Sequence, residues 1–362
     1  MKILRSLLLF ATLLSISQAR TEVWIAGKGG IYHSTLDGTN GKLSAPQKVA
    51  DFGSGSWLEF HPTEPVLYST MRDGGMHGVK ALRLNKAGEL EDWSQIESPA
   101  GSPSHFAINP AGNLLVAAHW GGKSTTAYSI APDGKFIKHE QTFEHTGSGP
   151  RSIQSQPRPH WAGFSDDGSV VHVTDLGSDH VWTFNVAAGK DQPLSFRSKT
   201  RVPAGMGPRH MAFSPDRRFA YVSEELAHHV TVLAHDIDTA ELTPIQHIDA
   251  APADLDETTN NVSEIKVHPN GKWVYTANRG HDSMAVFRRD SATGKLELVE
   301  HEPVRGDWPR NFNITDDGKW MITAGQNSGT LVVFAINPND GSLRYNRSKI
   351  HVPSPVRVLL SD

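Results

Sequence analysis

Cysteine is absent from all 362 residues. That excludes disulfides, thiolate nucleophiles, zinc–thiolate sites, iron–sulfur clusters and a lipid-anchored N-terminal cysteine, so stability must come from packing. An excess of one charge is also missing. The 35 Lys+Arg against 39 Asp+Glu leave a net charge of −4 with both signs mixed along the chain. No basic face is set out for nucleic acid and no acidic tail for a basic partner, so the chain is expected to be a monomer whose partner is a small molecule. Metal and cofactor motifs are lacking as well. There is no H-E-x-x-H, and His228 and His229 alternate faces of a strand. The "GKGG" at 27–30 is not followed by a helix pattern and reads as a turn rather than a phosphate loop. Neither a cofactor nor a metal is therefore expected.

The one marked apolar run at the N-terminus, residues 7–14, is well short of the roughly 20 residues of a bilayer-spanning helix. Lys2 and Arg5 precede it and Ser17-Gln18-Ala19 follow, a small-x-small site of the kind that signal peptidase cuts. Residues 1–19 are expected to be a cleaved signal peptide and residues 20–362 the mature domain, periplasmic or secreted. Once the signal is removed, no membrane span is expected.

What is present is a globular composition, 38% hydrophobic and 20% charged, and a repeat. An aromatic or aliphatic residue followed two later by Pro or Asp recurs at Phe60, Ile108, Phe164, Phe213, Val267 and Ile314, spaced by 48, 56, 49, 54 and 47 residues. Four residues after the anchor stands Gly112, Gly168, Arg217, Gly271 or Gly318 in five copies, and short apolar stretches such as "WVYTA" and "LVVF" follow. Antiparallel strands at such a period specify an all-β propeller with one four-stranded blade per repeat. The opening "TEVWIAGKGGIYHSTL" resembles the second and third strands of a blade, and "PSPVRVLL" is an orphan strand. Together they supply a seventh blade, so the N- and C-terminal strands close the ring.

Hairpin arithmetic locates the polar residues. Positions four before and twelve after each anchor are equidistant from the turn and face one another at one end of adjacent strands. The first column reads Ser56, Ser104, His160, Arg209, Ser263, Arg310; the second reads Arg72, Trp120, Leu176, Glu225, Arg279, Gln326. His160, Arg209, Glu225 and Arg279 fall in three successive blades, and charges gathered near the axis are costly without a ligand that uses them. His105, His210 and Glu264 stand one residue later and are expected to be structural supports on the other face.

The strings "PRPHWAGFSDDGSVVHVTDLGSDHVWTF", "GPRHMAFSPDRRFAYVSEEL", "SEIKVHPNGKWVYTANRGHDSMAVF" and "WPRNFNITDDGKWMITAGQNSGTLVVF" resemble the seven-bladed lactonase family, which includes bacterial 6-phosphogluconolactonases and fungal carboxymuconate lactonizing enzymes. The resemblance implies an axial cleft that handles anionic lactones. It puts the family's functional residues on His160 of "PH", Arg209 of "GPRH", Glu225 of "EEL" and Arg279 of "NRG". Arg310, Gln326 and His119 are added as substrate-binding candidates. Two departures stand out: Glu224 where the "EL" motif commonly has Asn before it, and "AAHWGG" in place of "ANY", so that His119 and Trp120 reshape one wall.

Lactone opening needs donors at the developing oxyanion, a base for water and an acid for the ring oxygen. Arg209 and Arg279 suit the donor role, with Glu225 as base and His160 as acid, or the reverse. The reaction expected is hydrolysis of a sugar-acid lactone. The alternatives are lactone closure of the carboxymuconate type, or a non-catalytic exported propeller that binds a small ligand, carbohydrate or protein.

Overall fold

The computed structural model describes residues 20–252, 255 and 260–361; the expected signal segment, 1–19, lies outside them. Six repeats each supply four antiparallel strands with the first innermost; five form separate four-stranded sheets, and the first is joined to the terminal strands in one eight-stranded sheet. The innermost strands are Leu58–Phe60, His105–Ile108, Pro159–Phe164, Pro208–Phe213, Asn261–Val267 and Pro309–Ile314, here called blades 1 to 6. Blade 7 takes its innermost strand, Arg357–Ser361, from the C-terminus and pairs it with residues 22–26, Trp24 opposite Leu359. The strand segment Arg20–Asp37 reverses within itself. His33 Nε2 lies 2.5 Å from Glu22 Oε2, which eleven residues of extended chain would hold more than 30 Å apart. Gly29 and Gly30, at φ +85° and +135°, make that reversal. The expected seven-bladed ring closed by both termini is what forms.

The residue four after each anchor sets the inner hairpin. Gly112, Gly168, Gly271 and Gly318 have φ between +70° and +72°, and Arg217 has +56°, all in the left-handed region that turns require. At Gly318 space matters as much as φ, because a Cβ there would sit 2.4 Å from the imidazole of His268 in blade 5. That ring donates from Nε2 to the Gly318 carbonyl at 2.9 Å, and His61 does the same to Gly112 at 2.8 Å. The turn of one blade is thus built against a histidine of the blade before it.

The core sits between blades. Tyr275 and Val286 of blade 5 pack against Phe312, Met321 and Phe334 of blade 6, and comparable clusters fill the other gaps. Buried tyrosines pin neighbours together: the Tyr221 hydroxyl donates to the Gly294 carbonyl at 3.0 Å and that of Tyr275 to Gly341 at 2.8 Å. With each sheet twisted and wedged against two others, the innermost strands converge on one axis and deliver their ends to a common mouth.

Candidate active site

Local sequence aims the site residues through a repeated irregularity. In blades 3, 4 and 6 the innermost strand opens with Pro159-His160, Pro208-Arg209 or Pro309-Arg310. In each the register slips between the proline and the residue two later, so His160, Arg209 and Arg310 are the extra residues of β-bulges. A bulge re-aims a side chain and raises local twist, which turns these three away from the sheet faces and into the axial cavity. Serine occupies the same position in blades 1, 2 and 5 and acts differently. Ser56, Ser104 and Ser263 donate to the carbonyls of Pro103, Pro159 and Pro309, stitching each innermost strand to the next.

The second column follows the strands Phe219–Glu224 and Trp273–Arg279. Glu225 lies just beyond its strand, with its N–H bonded to the Gly207 carbonyl at 2.8 Å. Its carboxylate spans two guanidinium groups, Arg209 Nε at 2.8 Å from Oε2 and Arg279 Nη2 at 3.1 Å from Oε1. The Arg209 contact is an ion pair too bent for a hydrogen bond, and Arg209 Nη1 has no partner. Arg279 also donates weakly to the carbonyls of Asn261 and Val262 at 3.3 Å. Arg310 reaches the Gln326 side-chain oxygen, at 3.5 Å. His160 is buried and its Nδ1 is unpartnered.

The charges strain against burial. Desolvation, with Arg279 next, pulls Arg209 down to about 9, and desolvation with Arg279 pulls Arg310 down to about 10; both remain protonated at neutral pH. Desolvation, then the charge of Arg209, drives His160 well below its ordinary value, so it is a neutral imidazole. Burial alone would raise Glu225, but Arg279 and Arg209 outweigh it and hold the carboxyl below its usual range.

These groups line one cavity of about 910 Å³ at the mouth of the ring, together with Ser56, Ser104, Arg72, Trp120 and Gln326. Beneath it lies a polar plug: His210 Nδ1 bonds Glu264 Oε1 at 3.1 Å, and Asn311 donates to the other Glu264 oxygen. The His210 ring sits 5.2 Å from that of His160 and 5.4 Å from that of His105. His105, His210 and Glu264 are thus buried beneath the cavity, in line with the supporting role expected of them.

Three expected positions do not reach the cavity. His119 is fully buried with Nε2 2.8 Å from Thr126 Oγ1, and burial holds it near 4. It ends the strand Leu114–His119, where the side chain points between blades; only its successor Trp120 turns into the mouth. His119 is therefore corrected from a substrate-binding residue to a packing one. Leu176 is buried beside Gly207, and Ser263 is fully buried. Conversely, Lys28 and His77 line the cavity without having been expected. Lys28 belongs to the "GKGG" turn, and His77 lies on the third strand of blade 1 as the register partner of Arg72.

The fold is that of a propeller lactonase. The family model described as "Lactonase, 7-bladed beta-propeller" matches residues 16–360, and the chain belongs to that family. Several of its relatives are named 6-phosphogluconolactonase. The 6-phosphogluconolactonase of Bacillus subtilis is 32% identical over 333 residues, covering 92% of this chain and 94% of its own. That of Formosa agariphila is 28% identical, covering 87% and 90%. The solved structure of a periplasmic gluconolactonase from Pseudomonas aeruginosa superposes with a TM-score of 0.89 at 27% identity, over 95% of this chain and 99% of that one.

Proposed function

We propose that this protein hydrolyses an anionic sugar-acid lactone, of the 6-phosphogluconolactone kind, in the axial cavity. The observation that carries the reading is the charge of the lining: Arg72, Arg209, Arg279, Arg310 and Lys28 against the single carboxylate of Glu225. Such a concave, cation-rich site attracts and holds an anion. The kinship to lactonases named above supplies the reaction class.

Electrostatics favour one division of labour over the other. Glu225, tied to two guanidinium groups, is a poor base and serves to hold Arg209 and Arg279 in place. His160, held as a neutral imidazole, takes the proton of an attacking water. The water oxygen bonds to the lactone carbonyl carbon, and the carbonyl oxygen becomes an oxyanion facing Arg209. On collapse the bond from the carbonyl carbon to the ring oxygen breaks, and the imidazolium returns its proton to that oxygen. The products are a hydroxy acid and the original imidazole. The Arg charges that add to desolvation in depressing His160 are offset when the anionic lactone binds, so substrate itself raises the basicity of the ring.

The reading extends to location. Signal cleavage after Ala19 would release the propeller to the periplasm, where the related Pseudomonas enzyme is named as residing. Among the described residues no helix is long and apolar enough to cross a membrane. The direct test follows acid release from 6-phosphoglucono-1,5-lactone and glucono-1,5-lactone, with the protein-free rate subtracted. Acceleration by the wild type and its loss in His160→Gln is the expected result; a wild-type rate equal to the blank removes the reading.

A further inference from the structure

Ligand pockets run from roughly 300 to 1,000 Å³, and this one, at about 910 Å³, is far larger than a single six-membered lactone needs. The part of the lining contributed by blade 2, two blades from Glu225, also has different chemistry. Its centre is Trp120, which ends the inner hairpin of blade 2 and is followed by two glycines. Gly122 has to be glycine, since a Cβ there would fall 2.3 Å from the Ala100 carbonyl oxygen. That close approach draws the turn onto blade 1 and leaves the indole at the rim. The ring does not swing freely. The Arg158 guanidinium lies 4.0 Å from its centroid and is itself held by an Nε bond to the Ile153 carbonyl at 2.6 Å. A half-buried indole, backed on one face and lining the cavity, is a prepared stacking surface. Polar groups stand near it on blade 1, where His77 Nδ1 is buried and unpartnered and Arg72 is paired in register with His77.

We propose that Trp120, clamped by Arg158, is a shelf for a second sugar ring, so that among unphosphorylated lactones that of a disaccharide acid is preferred. This rests on the lactonase reading of the same cavity. The lactone ring sits among His160, Glu225 and the arginines, and the C–H face of the second pyranose covers the indole while its hydroxyls meet Arg72 and His77. A phosphate in the same space would draw on Arg72 and Lys28 and gain nothing from the indole.

The test compares kcat/KM for cellobiono-1,5-lactone, glucono-1,5-lactone and 6-phosphoglucono-1,5-lactone, each corrected for spontaneous hydrolysis. The two-ring lactone is expected to exceed unphosphorylated gluconolactone by about ten-fold, the scale of one good stacking contact. Trp120→Ala should cut the two-ring value about ten-fold more than either single-ring value, and Trp120→Phe, which keeps a stacking face, should retain most of the preference. No preference in the wild type, or equal losses on all three lactones in Trp120→Ala, overturns the shelf while leaving the lactonase reading in place. If none of the three is hydrolysed, both fall.

Discussion

Arg209 and Glu225 stand at the two ends of one hairpin in blade 4, and their side chains meet at 2.8 Å over the axis, with Arg279 of blade 5 closing on the other carboxylate oxygen at 3.1 Å. The carboxylate is what allows the guanidinium groups to sit together. Arg209 and Arg310 each have Arg279 as a neighbour that lowers their affinity for a proton.

Replacing Glu225 by Gln therefore removes the charge that offsets a cluster of buried cations. Breaking one partner of a buried pair costs on the order of 3–5 kcal/mol, reduced here because the Glu225 side chain is 17% exposed. Glu225→Gln should melt at a lower temperature than wild type at low salt, and added phosphate should recover part of the difference by supplying the missing anion. A melting curve indifferent to both changes would contradict this account of the site.

The pH dependence follows from His160. Its protonated form cannot act as base, and in the free enzyme that form appears only well below the ordinary imidazole value. The acid limb of kcat/KM should accordingly fall below pH 6.5. The limb of kcat should lie higher, because bound anionic lactone offsets the Arg field. His160→Gln should lower kcat by about 10²- to 10⁴-fold. Rate profiles of both parameters between pH 5 and 8 check it, and a kcat/KM limb above 6.5 would assign the titration to another group.

Much of this was legible in the sequence because a repeat exposes each position several times. The anchors from Phe60 to Ile314 gave the blades, and the turn position gave a left-handed residue in all five copies where Gly or Arg217 stands. Equidistance from the turn led to His160, Arg209, Glu225 and Arg279, which do line one cavity. Equidistance alone misses the bulges, since His160, Arg209 and Arg310 are extra residues rather than partners in a ladder. It also cannot separate His119 from Trp120, because which of two successive residues enters the mouth depends on where the strand ends. Lys28 and His77 stayed hidden for a related reason: they lie on turns and third strands outside the two aligned columns.

Arg310 is the guanidinium of the central three that makes no ion pair with Glu225, and among the described residues its side-chain bond is the long one to Gln326. Its charge is thus the one most available to a substrate anion. Arg310→Ala should raise KM for a phosphorylated lactone about ten- to a hundred-fold with little change in kcat, and raise it less for the neutral sugar lactone. Steady-state kinetics with the two substrates in parallel separate these effects, and equal changes in both KM values would deny Arg310 a part in binding the anion.

Glu224 carries the last prediction. It occupies the position where blade 5 has Asn278, whose amide donates to the Ala250 carbonyl at 2.6 Å. Glu224 is fully buried, and neither carboxyl oxygen meets a partner in hydrogen-bonding geometry, although the Thr231 hydroxyl lies near enough to ease its ionisation slightly. Burial, with Asp179 nearby, pushes it up to about 8, against 4.5 for a free glutamate. The folded chain therefore holds a proton that the unfolded chain has released. Stability from this group is complete below about pH 4.5 and is lost progressively as pH rises through about 8, each unit being worth about 1.4 kcal/mol. Glu224→Gln cannot ionise and escapes the loss. Its melting temperature should gain on wild type steadily between pH 5 and 8 and hold a constant lead above that. A lead that is the same at pH 5 as at pH 8 would mean that Glu224 is ionised in the folded protein and that an unseen group compensates it.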